Sequence, residues 1–184
     1  MVRNLGVAGW AGGIVASAAT VAYAKPSRDI VATDGQKLTL GDTTVTLHVT
    51  PGHTLGTLSS LIPVRDGGRQ HVAAYWGGTA FNWVRTPANY ITPDRPARFW
   101  FTQYATSAQR FRDLAARANA DVLLSNHTDF DGSKAKIPAL RKLPTRAAGS
   151  PHPYVVGTDA VRRYLTVAGE CARAGMASTG SASL

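Results

Sequence analysis

The chain is predicted to fold as an α+β domain, one mostly antiparallel sheet with helices on one face, and three observations carry this. Short β-branched runs separated by Asp-Gly and Gly-Asp pairs fill residues 29 to 76. Two helical periodicities follow, over residues 106 to 118 and 158 to 174. Strands come first and helices later, the order of a sheet with helices gathered on one side.

The elements follow in chain order. Asp29-Ile30-Val31-Ala32-Thr33 reads as a strand, Asp34-Gly35 as a turn and Lys37-Leu38-Thr39-Leu40 as a second strand. After Gly41-Asp42 a third strand runs from Thr43 to Thr50. In it Val45, Leu47 and Val49 alternate with Thr44, Thr46 and His48, so His48 reads as a surface histidine. Thr57 to Val64 and His71 to Trp76 form a further hairpin around a Gly-rich turn, with His71 as a solvated strand-end residue. The strand stops at Gly77-Gly78-Thr79, where two glycines permit close approach of whatever occupies a site.

Asn82 to Trp100 carries Pro87, Pro93 and Pro96 among Trp83, Tyr90, Phe99 and Trp100, and reads as a long packed loop of the kind that rims a pocket. A helix is predicted from Thr106 or Ser107 to about Ala118, with Phe111, Leu114, Ala115 and Ala118 inward and arginines outward. Asp121 to Leu124 is a short buried strand feeding Ser125-Asn126-His127-Thr128. Lys136 to Lys142 reads as a short helix, and residues 144 to 153 as a loop. Thr158 or Asp159 caps a last helix to about Ala174, with Val161, Tyr164, Leu165, Ala168 and Cys171 inward. The sequence divides as residues 1–24, 25–177 and a polar, frayed tail at 178–184.

At 184 residues, with 44% hydrophobic, the chain suffices for one sizeable core. Lys and Arg outnumber Asp and Glu by 20 to 11, a net charge of +9 that favours anionic ligands. The charge is dispersed and no basic run interleaved with aromatics occurs, so no nucleic-acid role is expected. Cys171 is the single cysteine, which excludes an internal disulfide and a structural thiolate cluster, and it reads as a small buried side chain.

Residues 1–24 have two readings. Arg3, the uncharged stretch Leu5 to Val21 and Ala22-Tyr23-Ala24 match the layout of a signal peptide. The same residues also read as an irregular remnant of a longer domain. The first reading makes the protein secreted or periplasmic and the second cytoplasmic; no stable membrane span is expected in either.

Two histidines stand on turns after apolar strands, His53 in Thr50-Pro51-Gly52-His53-Thr54-Leu55-Gly56 and His127 in Ser125-Asn126-His127-Thr128. Such turns are suited to holding a metal, and Asp129 or Asp131 is placed to add an oxygen ligand, although solvated turn aspartates are the simpler reading. The first turn, continued through Leu58-Ser59, resembles the TPGHTxGxxS signature of metallo-β-lactamase-fold hydrolases. The layout from Asp29 to about Met176 is similar to the second half of that family's αβ/βα sandwich.

The resemblance implies zinc, with His53 as a ligand of one ion and His127 of a second. It further implies that Ser125 and Asn126 shape the loop and that Gly77, Gly78 and Thr79 admit a small-molecule substrate. The reaction implied is attack of zinc-bound hydroxide on a carbonyl, ester or lactam; no residue is assigned as catalytic beyond the ligands. Trp76-Gly77-Gly78-Thr79 holds no acid or thiol, which resembles the subclass using only histidines and one aspartate. The HxHxDH motif expected upstream is absent, since no histidine precedes His48. Half a sandwich also leaves an apolar sheet face open to a second copy or a complementing chain. The expectation is therefore a truncated hydrolase, weak or inactive alone. The alternatives are a catalytically dead remnant serving as a binding or assembly module, and a secreted binding protein with its own two-histidine site.

Overall fold

The computed structural model describes residues 30–141, 150 and 152–180. Five strands form one sheet in chain order: β1 (Lys37–Leu40), β2 (Thr43–Val49), β3 (Leu58–Asp66), β4 (Arg69–Trp76) and β5 (Val122–Ser125). The first three pairings are antiparallel and β4 pairs with β5 in parallel. The parallel pair needs a crossover, and the long helix α2 (Ala97–Arg117) supplies most of it. Shorter helices are α1 (Asn82–Arg85), α3 (Thr128–Asp131) and α4 (Ser133–Arg141), and α5 (Thr158–Gly180) closes the fold. All of these elements belong to the unit Ala32–Leu184.

Registers sort the strand residues onto two faces, because opposed residues share a side. His48 opposes Ser59, Thr46 opposes Leu61, Leu61 opposes Ala74, and Ala74 opposes Leu123. This is the face that α2 and α5 cover: the ring of Phe111 stacks on Trp76, and Ala74, Leu123, Phe101, Tyr104, Val161 and Leu165 are buried in the same cluster. Leu47, Ser60, Tyr75 and Leu124 share the opposite face.

Four expectations are corrected here. His48 is buried at 5% exposure, 6.0 Å from the Phe111 ring, rather than on the surface. Both faces of this sheet carry apolar residues, so alternation in β2 separates the faces without marking the one under the helices. His71 is not solvated either, since its Nδ1 lies 2.6 Å from Asp121 Oδ2, joining β4 to the start of β5. Residues 30–33 form no strand, and the sheet begins at Lys37. Cys171 is exposed, because the inward stripe of α5 is Val161, Leu165 and Ala172, which leaves Cys171 to one side.

The predicted loop over Asn82 to Trp100 is more ordered than expected. It contains α1 and a 3₁₀ turn at Pro87–Asn89, and α2 starts at Ala97, nine residues before the predicted Thr106. Pro96 stands at the N-cap with extended backbone, and the next turns bury Trp100, Phe101, Tyr104, Ala105 and Ala108. Proline just outside a helix start is compatible with it, and the aromatics belong to the helix rather than to a loop. Helix α4 begins at Ser133, before the predicted Lys136, and α5 extends to Gly180, past Ser178 where the tail was expected. Residues 1–24, most of the 144–153 loop and residues 181–184 lie outside the described residues.

Candidate functional site

β2 runs antiparallel to β3, β3 antiparallel to β4, and β4 parallel to β5. The chain therefore leaves β2, β4 and β5 at one edge of the sheet. His53 follows β2, Gly77-Gly78-Thr79 follow β4, and Asn126-His127 follow β5. Both histidine turns and the glycine pair thus stand on the same edge, and Trp76 and Ser125 oppose each other at the ends of their strands.

The His53 turn is built by short polar contacts and one glycine. Thr50 is buried and its Oγ1 lies 2.8 Å from Ser59 Oγ, while its N–H donates to the Thr57 carbonyl at 2.9 Å. The Thr54 N–H donates to Thr57 Oγ1 at 2.9 Å, and Ser107 of α2 donates to the Pro51 carbonyl at 2.6 Å. Gly52 has φ of +145°, and a Cβ on it would lie 2.6 Å from Tyr104 Cα. Only glycine lets the turn lie this close to α2.

The His53 ring is held at both nitrogens. Nδ1 lies 2.8 Å from the Ala80 carbonyl, which only accepts, so Nδ1 carries the proton and Nε2 the lone pair. Asn82 Nδ2 stands 3.2 Å from that Nε2 and donates to the His53 carbonyl at 3.2 Å and to Tyr90 Oη at 3.0 Å. A histidine anchored through Nδ1–H to a backbone carbonyl is oriented as metal ligands are. Here the nitrogen left for an ion already meets an amide.

The glycines after β4 serve the chain itself. A Cβ at Gly77 would lie 2.0 Å from the Leu58 carbonyl oxygen, and one at Gly78 would lie 2.5 Å from the Trp76 ring. The Gly77 N–H donates to Ser59 Oγ at 3.2 Å, and the Gly78 carbonyl accepts from Tyr104 Oη. Burial pushes the Tyr104 phenol up to about 12, so it stays a neutral donor. Thr79 is 4% exposed and its Oγ1 has no hydrogen-bond partner among the described residues.

His127 is exposed, with its ring 6.1 Å from that of Phe130. Its N–H donates to Ser125 Oγ at 3.2 Å, and Ser125 Oγ lies 3.4 Å from Asn126 Oδ1. Asp131 is not a solvated turn residue: at 6% exposure, its Oδ2 accepts from the Ser125 N–H at 3.1 Å and its Oδ1 from the Ser133 N–H at 2.8 Å. It ties the end of β5 to the start of α4 around the His127 turn. Asp129 pairs instead with Lys134 at 2.6 Å.

A catalytic zinc takes three protein ligands and leaves a position open. Among the described residues no group of three His, Cys, Asp or Glu side chains is placed to hold a metal. His53 and His127 alone do not make a complete zinc site. Sequence reasoning missed Asn82, Tyr90 and Asp131 as supports of the two turns. Their only signal was the length of the aromatic segment after Thr79 and the turn composition after His127.

No family model matches the chain, and no curated protein is similar to it in sequence. Solved structures are similar in fold. The subclass B3 metallo-β-lactamase BJP-1 of Bradyrhizobium japonicum matches at 27% identity and TM-score 0.54, covering 82% of this chain and 51% of that one. The FEZ-1 metallo-β-lactamase of Legionella gormanii matches at 22% identity and TM-score 0.55, covering 78% and 49%. MEM-A1, a subclass B3 metallo-β-lactamase from a soil metagenome library, matches at 20% identity and TM-score 0.54, covering 82% and 52%.

The chain has a metallo-β-lactamase-like α+β fold and is related to that superfamily. It spans about half the length of the structures it matches.

Proposed function

We propose that this chain carries the His53 and His127 part of a metallo-β-lactamase-fold hydrolase site, acting on a small molecule with a carbonyl centre such as an ester or lactam. It is inactive by itself because the described residues supply too few ligands. The observation that carries the hydrolase reading is the likeness to BJP-1 over 82% of the chain. The placement of both histidine turns beyond β2 and β5 at one sheet edge supports it. The excess of basic residues suits an anionic substrate. Further ligands would come from a second copy or from a complementing chain, because the residues of this sequence outside those described hold Asp29 but no histidine, cysteine or glutamate.

A second reading is favoured by the amide of Asn82 at His53 Nε2. In it the edge is a hydrogen-bonded scaffold without metal, and the protein is a binding or assembly module. Zinc binding by the chain and by its His53→Ala and His127→Ala variants separates the two, with turnover of a chromogenic β-lactam and of a thioester measured alongside. The hydrolase reading expects no turnover by the isolated chain, and weak zinc binding that disappears in both His53→Ala and His127→Ala. Zinc binding indifferent to both substitutions would favour the module, and zinc-dependent turnover by the monomeric chain would overturn the claim of an incomplete site.

A further inference from the structure

Two tethers from α2 hold the chain as it leaves β2 for the His53 turn. Arg110 donates to the Val49 carbonyl at 3.1 Å, and Ser107, one turn earlier, donates to the Pro51 carbonyl at 2.6 Å. The Arg110 guanidinium also pairs with Asp34, whose Oδ1 accepts from the Val49 N–H at 3.0 Å. Asp34 and Arg110 together thus engage both backbone polar groups of Val49, the last residue of β2.

His48 stands against this arrangement from the inside. Its Nδ1 lies 3.9 Å from Asp34 Oδ1, and Phe111 of α2 covers the ring at 6.0 Å. Both ring nitrogens are buried, and neither has a hydrogen-bond partner among the described residues. A neutral imidazole carries one proton, and a second one meets neither water nor an acceptor while β2 and α2 stay packed. The charged groups facing the ring are Asp34 and Arg110. Ser59, opposite His48 on β3, and Phe111 are uncharged, and Lys37 of β1 stands opposite Thr46, the next pair on the same face. Burial holds the pKa of His48 below its ordinary 6.5; Asp34 opposes this and Arg110 adds to it.

Asp34 belongs to the β2 side of this contact. The Gly35 N–H beside it donates to the Leu47 carbonyl at 2.8 Å, and its own carboxylate takes the Val49 N–H. When β2 and α2 part, Asp34 therefore stays with His48 and loses Arg110. We propose that His48, Asp34 and Arg110 form an acid-operated latch on the His53 turn: His48 takes up a second proton as the end of β2 parts from α2, Asp34 exchanges Arg110 for His48, and the turn is released from α2. The step moves one proton from solvent to the ring and changes no other covalent bond. It rests on neither a metal nor hydrolysis, because it is read in the amides of the turn itself.

Hydrogen exchange by NMR tests the latch at Thr50, whose N–H donates to the Thr57 carbonyl, and at Gly52, whose N–H donates to the Thr54 carbonyl. After correction for the intrinsic pH dependence, exchange at both should rise severalfold between pH 7.5 and 5.5. About tenfold is the limit for a ring whose pKa returns to 6.5 once β2 and α2 have parted. The faster exchange should be independent of low urea concentrations, as a local opening is, whereas amides of β4 exchange in a urea-dependent global step. His48→Gln should remove the acid response at Thr50 and Gly52. Arg110→Gln, which undoes the latch at every pH, should make both exchange quickly already at pH 7.5. The urea comparison is made on the unmodified chain and decides the matter if a variant fails to fold. An acid response that is absent, that survives His48→Gln, or that occurs only in the urea-dependent step shared with β4 would overturn the proposal.

Discussion

The side-chain amide of Asn82 lies 3.2 Å from His53 Nε2 and 3.2 Å from the His53 carbonyl oxygen, so one residue of α1 engages both the ring and the backbone of the histidine turn. Replacing it tests what that contact does. Asn82→Ala removes the amide that stands beside Nε2 while Nδ1 keeps its bond to the Ala80 carbonyl. Stability should fall by about 1 kcal/mol in urea unfolding. Zinc affinity, measured by competition with a chelating dye, should rise, because the lone pair is released. Unchanged zinc affinity would mean that the amide does not compete for that nitrogen.

The second expectation concerns Gly77, where an added Cβ would meet the Leu58 carbonyl oxygen at 2.0 Å. That oxygen is backbone and has no rotamer by which to move aside. Gly77→Ala should therefore cost about 3 kcal/mol or more, read as a fall in the urea midpoint. A variant as stable as the parent would show that the end of β4 yields more readily than its packing implies.

Asp131 gives a third. Its two oxygens accept from the N–H groups of Ser125 and Ser133. Asp131→Asn keeps one acceptor and sets an amide donor against the other N–H. The loss should be about 1 to 3 kcal/mol, with faster hydrogen exchange at one or both of those amides. Slow exchange at both would show that the His127 turn is held by other contacts.

The fourth is a pH dependence. His48 is buried under Phe111, and neither ring nitrogen has a hydrogen-bond partner among the described residues. Burial lowers its pKa below the ordinary 6.5, with Arg110 acting in the same sense and Asp34, 3.9 Å away, opposing. The unfolded chain then takes up this proton before the folded one does. The contribution of His48 to stability is full above pH 6.5 and declines as the pH falls below it. Asp34 acts lower: burial opposes its charge, but the Val49 N–H and the Arg110 guanidinium outweigh it and hold the carboxyl below 3.8. Its contribution is present above that value and is lost as the pH falls through the depressed one. Urea unfolding at pH 7.5 and 5.5 isolates the histidine, and His48→Gln should flatten the difference, working through neutral size rather than charge.

Much of this molecule was legible because local chemistry and global fold agree. Strand ends, the hairpin turns and the inward side of α2 at Phe111 and Ala115 follow from alternation and helical period. The start of α2 was hidden because prolines and aromatics read alike in a packed loop and in a proline-capped helix. The burial of His48 was hidden because this sheet carries apolar residues on both sides, so period alone does not name the covered one. The turns of His53 and His127 were visible from their residues. Their supports were not, since Asn82 reaches His53 across 29 residues and Asp131 acts through backbone amides that no side-chain pattern reveals.

The most direct test of an incomplete site is zinc per chain, by elemental analysis of freshly purified protein and of His53→Ala. Well below one zinc per chain, falling further on His53→Ala, is the expected result. Close to two tightly held zinc ions, lost on His53→Ala, would contradict it and show that the chain completes its metal site.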